Sequence, residues 1–74
     1  MKKLKWENAE HPTALWFAKL AEEFAEVAVE IQALDLAASP LERNAAESKL
    51  LDELGHVVLI ARNFRRDVRT RGVT

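Results

Sequence analysis

The chain has 74 residues, of which 49% are apolar, with no cysteine and a formal net charge of -1. This length suits one small domain, and without cysteine there are neither disulfides nor thiolate metal ligands, which fits a reducing cytoplasm. The charge argues against bulk attraction to nucleic acid, and no apolar run approaches the roughly 20 residues that a membrane span requires.

Residues 1–11 read as an irregular arm. Its start, Met1-Lys2-Lys3-Leu4-Lys5-Trp6, is basic, but no long apolar segment follows, so it does not read as a signal peptide. Helix one is expected from Pro12, since proline suits a first helical turn, to about Ala37. At about 100° per residue, Phe17, Leu20, Ala21, Phe24, Val27, Ala28, Ile31 and Leu34 form one broad apolar stripe. Ser39-Pro40-Leu41-Glu42 then marks a break. Serine caps, proline opens the next helix, and Glu42 at the third helical position can complete a capping box. Helix two is expected from Pro40 to about Arg69, within a domain ending at Arg71 and followed by a tail over 72–74. Its main stripe is Leu50, Leu51, Leu54, Val57, Val58, Ala61, Phe64 and Val68. The short connection predicts an antiparallel, all-α hairpin over residues 12–71.

Further apolar residues lie off both stripes: Ala18, Ala25, Val29 and Ala33 on helix one, Leu59 and Ile60 on helix two. A lone hairpin leaves them in water, and so short a chain buries little apolar surface. A multi-chain helical bundle, built as a homodimer or homotetramer, is therefore expected.

Chemistry concentrates in Glu22-Glu23-x-x-Glu26 and Glu53-x-x-His56. Side chains three residues apart share a helix face. Two such sets on neighbouring helices can surround one divalent cation, and hard oxygen ligands suit Mg²⁺ or Mn²⁺. Such an ion would relieve the mutual repulsion of the carboxylates. Glu-x-x-Glu is also common on solvated helix faces, where glutamate is simply a good helix former.

The segment Leu20-Ala21-Glu22-Glu23-Phe24-Ala25-Glu26-Val27-Ala28, followed by Asp52-Glu53-Leu54-Gly55-His56-Val57-Val58, resembles the MazG-type all-α nucleoside triphosphate pyrophosphohydrolases. Their motif is Glu-Glu-x-x-Glu, a spacer, then Glu-x-x-Asp. Here 26 residues, 27 to 52, form the spacer, and the resemblance runs from about His11 to Arg66. It implies a helical dimer or tetramer that cleaves a nucleoside triphosphate between its α and β phosphates with Mg²⁺. It also implies Glu23, Glu26 and Glu53 as metal ligands, and Glu22 as a further ligand or the base that orients water. The chain is shorter than a full family domain, so the resemblance implies a nucleotide pocket completed by another subunit.

One position departs from the family pattern. His56 stands where the family has aspartate, and imidazole suits Mn²⁺, Fe²⁺ or Zn²⁺ better than Mg²⁺. Its spacing also opens another reading. Glu53-x-x-His56 matches the ligand pairs of ferritin-like di-iron bundles, in which partner helices supply further glutamates such as Glu23 or Glu26. A catalytically silent assembly module is the third reading.

Other candidates are Lys19, as a phosphate contact or a salt-bridge partner of Glu23, and Trp6 and Trp16, as base-stacking rings or core residues. His11, in the arm, reads as exposed or capping. The basic run Arg62, Arg65, Arg66, Arg69 and Arg71 complements a helix C-terminus. Arg62 and Arg66 are candidates for a phosphate clamp that reaches a neighbouring subunit, since arginine recognises phosphate bidentately.

Overall fold

The computed structural model describes Trp6 and residues 9–71. The leading lysines and the tail over 72–74 lie outside these described residues. Two helices make up the fold: α1, Thr13–Leu36, and α2, Pro40–Arg71. Among the described residues there is no strand, and no helix is long and apolar enough to cross a membrane.

Both helix starts follow from local chemistry. Pro12 lies just outside α1 with ψ 150°, rather than in its first turn, and its carbonyl accepts from the Leu15 and Trp16 N–H groups at 3.0 and 3.2 Å. Proline has no N–H to leave unsatisfied at this point. The α1 helix ends where Ala37 turns extended, at φ -62° and ψ 125°. At α2 the Glu42 N–H donates to Ser39 Oγ at 3.2 Å. The Glu42 carboxylate reaches back to the Ala38 N–H at 2.9 Å, one residue before the position of an ideal capping box.

The helices run antiparallel. Trp16 meets Phe64 and Asp67, while Glu23, further along α1, meets His56, nearer the start of α2. The seam between them buries Trp16 completely, with Val27, Ala46 and Ile60 behind it. Two acidic residues, Glu23 and Asp67, are buried in the same seam.

The inward face differs from the stripe expected by periodicity. Phe17, Phe24 and Ile31 sit at heptad spacing on α1 and are all exposed, Phe17 by 68%. Leu51, Leu54 and Val58 on α2 are exposed too. Only one edge of each wide stripe meets the other helix. Facing α2, the line Trp16, Glu23, Val27 and Leu34 lies a quarter-turn or less from the Phe17–Phe24–Ile31 line, at about 100° per residue. The molecule is only 14 Å thick in its thinnest direction, little more than one helix diameter of about 10–12 Å. Among the described residues no second layer covers its broad faces, which leaves Phe17, Phe24 and Ile31 exposed.

A knot of polar and aromatic groups closes the open end of the hairpin. Asp67 Oδ2 accepts from the His11 N–H at 3.0 Å and the Trp16 indole N–H at 2.7 Å. Its Oδ1 accepts from Arg66 Nε at 2.9 Å and pairs with Nη2 at 2.8 Å. Arg66 and Arg71 also donate to the Ala9 and His11 carbonyls at 3.3 and 2.6 Å. The Trp6 ring stacks on His11 at 3.7 Å and meets Trp16 edge-on at 4.8 Å. His11 Nε2 lies 2.7 Å from the Trp6 carbonyl oxygen, its acceptor.

Burial alone would raise the Asp67 pKa. The His11 and Trp16 N–H groups and the Arg66 guanidinium outweigh it and hold the carboxyl at about 2, below its ordinary 3.8. A depressed folded-state pKa stabilises the fold above the unfolded value and loses that effect as pH falls. Asp67 therefore contributes fully above pH 3.8, and its contribution fades between 3.8 and about 2. Asp67→Asn is expected to lower the neutral-pH Tm by several degrees, at about 4–8 °C for each kcal/mol lost in a domain this small. It should also flatten the acid limb of a Tm-against-pH curve in that window, followed by circular dichroism. An unchanged acid limb would mean that Asp67 has no part in acid unfolding.

Candidate metal centre

The acidic residues of α1 repeat at positions 22, 23 and 26 and straddle the edge of the seam. Glu23 points inward and is only 6% exposed, whereas Glu22 and Glu26 are exposed beside it. From α2, Glu53 is half-buried and His56 lies at the rim. Each of Glu23, Glu53 and His56 offers one ligand atom, all within 4.8 Å of one another. Glu22, Glu23 and Glu26 do the same, so Glu23 is common to both sets.

Glu23 Oε2 and Glu53 Oε2 are buried and have no hydrogen-bond partner. Unpartnered buried carboxylate oxygens are costly, and a cation held between the helices would satisfy both. Asp52 is exposed and belongs to neither group.

Lys19 Nζ lies 3.5 Å from a carboxylate oxygen of Glu22 and 3.5 Å from Glu23 Oε1. Burial disfavours the charged ammonium, but the two glutamates more than compensate and raise its pKa. Lys19, Glu23, His56, Leu59 and Ile60 line a cleft of about 140 Å³. Leu59 and Ile60, expected at a subunit contact, thus form its apolar wall.

The Glu26 carboxyl is pushed above its ordinary 4.5, first by hydrogen bonding to Glu53 and then by the negative charges of Glu23 and Glu53. A raised folded-state pKa means stability present below 4.5 and lost as pH rises through the raised value. Ionised Glu26 thus opposes folding at neutral pH in the absence of a cation. Glu26→Gln is expected to raise the metal-free Tm at pH 7 by a few degrees and to leave it unchanged below the carboxyl range. A fall in Tm at pH 7 would contradict the crowding of these carboxylates.

Other sequence candidates fall elsewhere. Trp16 is fully buried, with its indole N–H committed to Asp67 and its ring parallel to Phe64 at 6.3 Å, so it has no face open to a base. Arg66 is committed to Asp67, Asn63 and the Ala9 carbonyl. Arg62 lies nine residues beyond Glu53, about half a turn round α2, and lines a groove of about 330 Å³ with Arg65, Arg66, Arg69 and Thr70. Within one chain that groove faces away from the acids. Sequence reading passed over Asp67, although a lone acid among five arginines was a signal available there.

No family model, curated protein or solved structure matches this chain.

Proposed function

We propose that the chain is a subunit of a divalent-metal-dependent, MazG-like nucleoside triphosphate pyrophosphohydrolase. The reading rests above all on one observation: carboxylates from both helices converge, and two buried oxygens, Glu23 Oε2 and Glu53 Oε2, lack any partner. The motif spacing supports it, because Glu23 and Glu53, two of the three ligands that the resemblance implies, meet across the seam, and the third, Glu26, groups with Glu23 on α1.

On this reading Glu23, Glu26, Glu53 and His56 hold Mg²⁺ or Mn²⁺. A bound divalent cation neutralises phosphate charge and makes water a better nucleophile at neutral pH. Glu22, exposed at the rim, orients the attacking water and takes its proton. Water oxygen bonds to the α phosphorus, the bond from that phosphorus to the α–β bridging oxygen breaks, and the monophosphate and pyrophosphate leave. Lys19, which already pairs with both Glu22 and Glu23, exchanges part of that contact for a phosphate oxygen.

The uncovered apolar faces support assembly as a homodimer or homotetramer. In such an assembly the arginine groove of one subunit, through Arg62, faces the nucleotide of another. The cysteine-free sequence fits an enzyme of the reducing cytoplasm.

The test is incubation with a panel of nucleoside triphosphates, first with Mg²⁺ and then with Mn²⁺, following pyrophosphate and monophosphate release. Release that requires the cation supports the proposal. A protein that binds stoichiometric iron and consumes oxygen, or one that only oligomerises, refutes it.

A further inference from the structure

We infer that His56 makes this centre selective for a first-row transition ion over Mg²⁺. The inference rests on the metal-binding part of the proposed function and concerns which ion the site takes. Its starting point is the direction of the two unpartnered oxygens. Glu23 has one oxygen, Oε1, answered by Lys19 at 3.5 Å. Its other oxygen, Oε2, has no hydrogen-bond partner, and His56 Nδ1 lies 3.9 Å away. Glu53 Oε2 is equally unanswered and lies 3.6 Å from the same nitrogen. Two buried oxygens and one imidazole nitrogen therefore converge on one point, and Glu23, at 6% exposure, is held there by the seam.

This donor set is mixed. An ion at about 2.0–2.2 Å from imidazole nitrogen and carboxylate oxygen brings its ligands a little closer together than these distances. His56 is exposed at the rim and free to move inward by that amount. Mg²⁺ demands oxygen ligands in near-ideal octahedral geometry and keeps its waters, so it gains little from Nδ1. Mn²⁺ and, more strongly, Zn²⁺ accept imidazole readily. The second, all-oxygen group of Glu22, Glu23 and Glu26 shares Glu23. It leaves Mg²⁺ a weaker alternative site of two exposed carboxylates and one buried one.

Calorimetric titration of the intact chain with Mg²⁺, Mn²⁺ and Zn²⁺, each alone, tests this. Zn²⁺ and Mn²⁺ are expected to bind at least about 10-fold more tightly than Mg²⁺, the scale on which ligand-environment changes alter metal affinity. His56→Gln should abolish that preference, and His56→Asp should shift it back toward Mg²⁺. In ¹⁵N spectra Zn²⁺ should move the His56 Nδ1 resonance, a change that a merely structural histidine would not show. His11 remains in both variants, so any zinc it binds is read there directly.

Equal affinity for Mg²⁺ and Zn²⁺ overturns the inference. So does a preference that survives His56→Gln, or an unmoved Nδ1 signal. Mg²⁺-dependent pyrophosphate release without any transition-ion preference overturns this inference alone. Failure to bind any of the three ions overturns the proposed function as well.

Discussion

Trp16→Ala is expected to leave the isolated chain without a cooperative thermal transition. Trp16 is the largest side chain that the hairpin buries completely, and the rest of the apolar core is Val27, Ala46 and Ile60. Removing a large buried aromatic costs about 3–5 kcal/mol. A single core in a chain this short rarely supplies more than about 3–5 kcal/mol in total. The indole also joins three parts of the molecule: Phe64 through its face, Trp6 through its edge and Asp67 through its N–H. Trp16→Phe keeps a ring in place but removes the N–H, so it should retain a transition at lower Tm. Circular dichroism melts of both variants at several protein concentrations check this. A Trp16→Ala protein that melts cooperatively at a few micromolar would show that the seam is not what holds the helices together.

Glu53→Gln carries the largest expected effect on activity. It removes charge from the one α2 carboxylate that faces Glu23 and Glu26, yet preserves shape and half-burial. Under the proposed function, pyrophosphate release should fall about 100-fold or more, the scale for losing one group that stabilises developing charge. Divalent ions should also cease to raise the Tm, because binding to the folded state is what raises it. The metal-free protein should be no less stable than the parent, since one crowded charge has gone. Full activity in Glu53→Gln would remove this carboxylate from the mechanism, while a metal-free Tm well below the parent's would assign it a structural role instead.

The all-helical class and the helix–break–helix layout were legible in the sequence because their signals are local. Serine before proline with Glu42 in the first turn specifies a helix start without reference to anything distant. The pairing of Glu23 with Glu53 was legible for a similar reason: both lie at an edge of their stripes, and an antiparallel hairpin brings such edges together. The face of each stripe that packs was not legible. Phe17, Phe24 and Ile31 are as apolar as Trp16, Val27 and Leu34, yet they lie outside, because two helices in contact need only one narrow edge of a broad stripe. The role of Asp67 was equally hidden. Its partners, the His11 N–H and the Trp16 indole, are 56 and 51 residues away, and no local spacing rule reaches that far.

The clasp at the open end also sets how the molecule would respond to mechanical load. Residues 9–11 are tied to the last turns of α2, and the only connection between the helices is at the opposite end, residues 37–39. Tension applied through the two ends would act first on the Asp67 contacts and then peel the helices apart pair by pair toward the connector. The polar contacts around one aspartate would therefore meet such a load together with the Trp16–Phe64 pair beside them.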